Sequence, residues 1–160
     1  NTFARDVRDR AALADTIRAH AEAVAARLRR DHVAGRGVTL KLKLTRPLGG
    51  GKYPLLTRSL LLKRATNDGA AIARAARHLV ERVEPWEPIR LLGVAVTKLE
   101  PSDGSQLALG LGGETDRRRS RLNEAVDAIH ARFGDQKLKR GTADVRRAGL
   151  SMGIKRGERE

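Results

Sequence analysis

The sequence predicts an α+β fold: a four-stranded, antiparallel-type sheet in β-α-β-β-α-β order, with two helices on one face and a C-terminal tail that carries a short helix. Three observations lead there. The run VTLKLKLT at 38–45 alternates cleanly, with Val38, Leu40, Leu42 and Leu44 on one side and Thr39, Lys41, Lys43 and Thr45 on the other. Two further stretches have helical spacing, each with a single apolar stripe. Strand-like segments flank both helices along the chain. A single apolar stripe per helix and a single apolar sheet face require both helices to cover the same side, so the Lys/Thr side is left open.

Taken in order, TFARDV reads as the first strand. Asp9 is placed to cap a helix whose buried face is Leu13, Ile17, Ala21, Val24 and Leu28, running to about Arg30, with Gly35 and Gly37 expected to end it. RPLGGGKYP is a flexible turn from VTLKLKLT into a returning strand, LLTRSLLLK. A second helix follows from Thr66 or Asn67, either of which can cap it, with Ile72, Ala76, Leu79, Val80 and Val83 as its stripe. EPWEP stops it. IRLLGVAVTKL has strand composition, but its alternation breaks around Leu92–Gly93, where a β-bulge is expected.

Beyond this lies QLALGL at 106–111, with Leu107, Leu109 and Leu111 at alternate positions and Gly, Ser and Asp nearby. It is either an edge of the sheet or a peptide that docks into another protein. The chain thus divides into a domain at 1–105, the peptide at 106–111, and a basic linker and tail at 112–160. In the tail, a helix at about 119–133 has Leu122, Val126, Ile129 and Phe133 as its stripe and Gly134 as its stop. The last residues have little periodicity and are expected to be poorly ordered.

Composition limits the function classes. A chain of 160 residues buries one core with an appended segment. With 33 Lys+Arg against 19 Asp+Glu and a net charge of +14, its natural partner is a polyanion: DNA, RNA or an anionic membrane surface. The absence of cysteine excludes disulfides, thiolate metal sites and cysteine nucleophiles. No apolar run approaches the roughly 18 residues of a membrane span and no signal pattern opens the chain, so a cytoplasmic protein is expected. The start at Asn1 suggests a domain from a longer chain.

A catalytic reading fails on inventory. His20, His32, His78 and His130 have no metal-pair spacing and are expected at surfaces or helix boundaries, and no two carboxylates emerge from adjacent strand ends. Gly49–Gly51 with Lys52 lacks phosphate-loop spacing and joins two strands rather than a strand and a helix. The basic sheet face is the stronger signal. Lys41, Lys43, Thr57, Arg58 and Ser59, on neighbouring strands, supply the cations and hydroxyls that hold phosphates. With two Phe, one Tyr and one Trp in the whole chain, base stacking is disfavoured and contact with a duplex backbone favoured.

Four segments, TFARDVRDRAAL, VTLKLKL, TRSLLLKRATND and IRLLGVAVTKLEP, resemble in that order the little-finger domain of Y-family translesion DNA polymerases, most closely the DNA polymerase IV (DinB) branch. The resemblance covers about residues 2–111, and RLLGV and TRS are its most specific parts. It implies a four-stranded sheet backed by two helices and laid on the major-groove side of template–primer duplex DNA. The phosphate contacts it implies are at Arg5, at Arg58 with Thr57 and Ser59, and at Arg90; Lys41 and Lys43 are added by the alternation.

QLALGL is similar to the peptide by which polymerase IV proteins dock on the sliding clamp. That likeness gives Gln106 the polar contacts, Leu107 a part in setting the extended backbone, and Leu109 and Leu111 the apolar subsites. Leu111 stands where many relatives carry Phe, and the turn at RPLGGGKYP is longer than usual. The catalytic palm is not in these residues, so no cofactor is expected in this chain. For the parent polymerase the resemblance implies Mg²⁺-dependent transfer of nucleotides from dNTPs onto a primer, including opposite damaged templates. The expected partners are duplex DNA and the sliding clamp, with no membrane, and the domain itself is expected to be monomeric.

Two other readings stand beside this one. A catalytically degenerate relative that acts as an accessory factor in mutagenic repair would carry the same domain. A free-standing RNA-binding α/β protein would explain the high pI and the open basic sheet, but neither the QLALGL spacing nor the abrupt start.

Overall fold

Two aspartates start the helices that build one layer of the molecule. The Asp9 side chain accepts a hydrogen bond from the Ala11 amide at 2.8 Å, and the Asp68 carboxylate accepts from the amides of Ala70 and Ala71. Each thereby satisfies amides that the first turn of a helix leaves without intrahelical partners. The second cap is therefore Asp68 rather than Thr66 or Asn67. The Thr66 hydroxyl instead accepts from the Asp68 amide, holding the capping residue in place.

The computed structural model describes residues 2–84, 86–102 and 114–134, with Leu138. Along the chain run β1 (Thr2–Val7), α1 (Arg10–Arg30), β2 (Val33–Leu44), β3 (Leu55–Thr66), α2 (Gly69–Glu81), β4 (Ile89–Pro101) and α3 (Glu114–Phe133). The four strands form one sheet in the order β1-β4-β2-β3, every neighbouring pair antiparallel. The fold is α+β, as the sequence predicts.

The core lies between the sheet and the α1/α2 layer. Leu13, Ile17, Ala21 and Leu28 of α1 and the whole predicted stripe of α2 are buried against Val38, Leu40, Leu42, Ile89 and Leu92, while Val24 is half-buried. Both helices cover one sheet face. At the start of α1, Trp86 donates from its indole nitrogen to the Arg8 carbonyl at 2.9 Å, and the Arg10 guanidinium lies 4.4 Å from the centre of its ring. These contacts close the segment between α2 and β4 over the start of α1.

Three further expectations are corrected. The glycines do not end α1: the chain leaves the helix at His32, whose φ is 53°, and Gly35 and Gly37 lie inside β2. They are needed there because a Cβ at Gly37 would run into the Thr97 side chain of β4. The irregularity in β4 is not at Leu92–Gly93, which pair regularly with Leu42 and Lys41. It falls between Lys43 and Leu44, which pair with Leu91 and Ile89 and leave Arg90 as the extra residue.

His20 is the third. It is buried on α1, its Nε2 lacks a hydrogen-bond partner, and burial pushes its pKa down from 6.5 to about 4. It sits inside the structure rather than at a boundary.

The tail helix begins at Glu114, so the basic run expected in a linker forms its first turns. It packs beside α1 through a forked ion pair. Arg29 donates from Nε and Nη2 to the two carboxylate oxygens of Asp127, at 2.5 and 2.7 Å, and from Nη1 to the Asn67 carbonyl at 2.9 Å. Asn123 and Val126 are buried on the same side of α3. The residues expected to be poorly ordered lie outside the described ones.

Candidate nucleic-acid interface

Residues paired across an antiparallel sheet project to the same face, so register decides which side chains share the open side. Lys41 pairs with Thr57 on β3 and Gly93 on β4, and Thr39 with Ser59 and Ala95. Lys43 pairs with Leu55 and Leu91. The rows therefore read Ser–Thr–Ala, Thr–Lys–Gly and Leu–Lys–Leu across β3, β2 and β4. Gly93 bears no side chain beside Lys41, leaving its stem room to move, and the Thr39 and Ser59 hydroxyls are hydrogen-bonded at 2.9 Å. Lys41 and Lys43 are two residues apart on one strand, so their Cα atoms are about 6–7 Å apart on the same side.

The bulge at Arg90 adds a third cation. Its guanidinium lies 4.7 Å from the centre of the Tyr53 ring, and the Lys43 ammonium lies 5.6 Å from the same centre. Tyr53 stands just before β3, at the end of a tight turn through Gly49, Gly50 and Gly51, all with positive φ. The turn thus delivers an aromatic ring to the end of the open face, where two cations gather on it. Sequence reasoning missed Tyr53, because a lone aromatic in a loop carries no periodic signal.

Not every predicted contact falls on this face. Thr57 and Ser59 do, but Arg58 pairs with Leu40 and so starts on the helix side of β3. Three consecutive strand residues cannot share a face. β3 is an edge strand, Arg58 is exposed on it, and its guanidinium folds back to donate to the Thr57 carbonyl at 3.2 Å. Arg5 is exposed on β1, the opposite edge. The peptide Gln106, Leu107, Leu109 and Leu111 lies outside the described residues. Among the described residues, no three His, Asp or Glu side chains converge to hold a metal ion, and no helix is long and apolar enough to cross a membrane.

An antiparallel sheet with two helices on one side carries lysine-bearing rows on the other. The family model described as the impB/mucB/samB family C-terminal domain matches residues 1–109, and the chain belongs to that family. It is a Y-family C-terminal domain of the DNA polymerase IV type.

Among similar proteins are DNA polymerase IV of Moorella thermoacetica, 32% identical over 143 residues, and DNA polymerase IV 1 of Mesorhizobium japonicum, 30% identical over 140 residues. These alignments cover 89% and 88% of this chain but 34% and 30% of the relatives. DNA polymerase IV of Methanoculleus marisnigri is 37% identical over 99 residues, covering 62% of this chain and 26% of the relative. The chain spans about a third of the length of the curated relatives it matches. The first alignment is too long to fit within residues 1–109 and so runs on through α3.

Proposed function

We propose that this domain holds duplex template–primer DNA by its phosphate backbone through the open sheet face, and that Gln106–Leu111 tethers the polymerase carrying it to a sliding clamp during lesion bypass. The observation that supports this most is the gathering of Lys41, Lys43 and Arg90 on the sheet face opposite α1 and α2, with threonine and serine hydroxyls beside them. Cations and hydroxyls of this kind bind phosphate oxygens without reading sequence. Mg²⁺ belongs, by family resemblance, to the catalytic part of such a polymerase, and the described residues do not fit an ion site.

The decisive comparison is between the wild-type chain and a Lys41→Glu/Lys43→Glu/Arg90→Glu variant in duplex binding. The variant should keep its melting temperature and lose at least tenfold in affinity, because three cations outside the core, Lys41 exposed and Lys43 and Arg90 half-buried, are being reversed. Arg58→Glu alone should cost less, since Arg58 reaches DNA only around the edge of β3. Unchanged affinity in the folded triple variant would remove the open face from the site, and stronger competition by structured RNA than by duplex DNA would favour an RNA-binding role.

A further inference from the structure

The tail helix is docked by its polar side. At 100° per residue, Asn123, Val126, Asp127 and His130 form one face of α3; Asp127 of this face bonds Arg29 of α1, and Asn123 and Val126 are buried. The apolar stripe read from the sequence lies to one side of it. Leu122, Ile129 and Phe133 are 54%, 38% and 57% exposed, and of that stripe only Val126 is buried. Along the outer edge of the stripe run Arg118, Arg121 and Arg132, all exposed, with the Arg132 guanidinium 5.3 Å from the centre of the Phe133 ring. The result is an apolar strip about 16 Å long with a basic rim, directed away from the domain.

Charge decides what can cover it. A second copy of this chain would bring another +14 to a basic rim. The segment after Gly134 is itself basic, with Lys137, Lys139, Arg140, Arg146 and Arg147, and complements the rim no better. The surface calls for an apolar depression bordered by carboxylates on another protein. Only Gly112 and Gly113 separate Leu111 from the start of α3, a span of at most about 11 Å. Any protein that grips Leu111 therefore lies within about 11 Å of the start of α3 at Leu111.

We infer that the Leu122–Ile129–Phe133 strip of α3, with its arginine rim, is a second docking surface for the protein that receives Gln106–Leu111, engaging an acidic, apolar patch beside the peptide's pocket. The inference rests on the reading of Gln106–Leu111 as a clamp ligand. It adds a helix-borne contact to the extended peptide, and two modest contacts joined by a short linker bind more tightly than either alone.

The test is a titration of a bacterial sliding clamp with the whole 160-residue chain. Four proteins are compared: wild type, Leu109→Ala/Leu111→Ala, Leu122→Ser/Phe133→Ser, and Arg118→Glu/Arg121→Glu/Arg132→Glu. Circular dichroism confirms that helix content is kept, and the last two variants report independently on the same surface. The peptide variant should lose clamp binding. Each α3 variant should bind about tenfold more weakly, and the arginine variant should also lose much of the salt dependence. Clamp affinity within twofold of wild type in both α3 variants, with the peptide variant inactive, would overturn this inference and leave the tethering reading intact. No clamp binding by the wild-type chain would overturn both. If the arginine variant loses affinity for duplex DNA while its clamp binding is unchanged, the rim belongs to DNA and the inference fails.

Discussion

At the scale of single residues, Tyr53 and Trp86 have parallel roles: each offers a ring to an arginine from another segment. Tyr53 also receives Lys43, so it positions two of the three cations on the open face. Exposed cation–π contacts are worth about 0.5–1 kcal/mol each. Tyr53→Ala, which removes both contacts, should therefore weaken duplex binding by up to about five- to thirtyfold with little change in melting, whereas Tyr53→Phe, which keeps the ring, should bind like wild type in an anisotropy titration. His20 makes a different prediction. Its folded pKa is depressed to about 4, so between pH 6.5 and 4 the unfolded chain binds the proton that the folded chain refuses. Stability that is present above pH 6.5 is lost as pH falls through this window, on the order of 1–2 kcal/mol by pH 5. His20→Leu should flatten that dependence in melts from pH 7 to 5 and, by removing an unpaired buried nitrogen, should be the more stable protein at pH 5. The pattern of leucines and lysines on β2 was legible in the sequence, but the burial of His20 was not, because it depends on which side of α1 its neighbours close over.

At the scale of elements, α1, α2 and β2 follow from local rules, since caps and periodicity lie within each segment. The docking of α3 does not, because Arg29 and Asp127 are 98 residues apart and nothing local marks them as partners. The Arg29 side chain is only 12% exposed, so removing its carboxylate leaves a largely buried charge with the Asn67 carbonyl as its remaining partner. Asp127→Ala should loosen α3 by about 1–3 kcal/mol. Limited trypsin digestion should then cut the Arg117–Arg121 run several times faster, while the main melting transition, set by the sheet and its two helices, shifts little. A large drop in melting temperature would show instead that α3 belongs to the cooperative core.

At the scale of the whole molecule, charge and layering act together. The α1/α2 layer packs against one sheet face, so a chain of net charge +14 keeps the lysine-bearing rows on the other. If Lys41, Lys43, Arg90 and one edge arginine each neutralise a phosphate, log K for duplex DNA should fall with log salt at a slope of about −3.6, nearly independent of sequence. Measured from 50 to 200 mM salt, a slope near zero would rule out backbone contact as the basis of binding. Strand and helix identity, the shared side of the two helices and the open basic face were all legible from periodicity, since burying one stripe per element leaves a single arrangement. Long-range closure settled the rest. Register split Arg58 from Thr57 and Ser59, a bulge brought Arg90 to Tyr53, and α3 turned its polar side inward. Each of these outcomes depends on residues distant in sequence meeting in space, and the alternatives differ by the few kcal/mol of one ion pair or one packed ring, too little to leave a mark in any single segment.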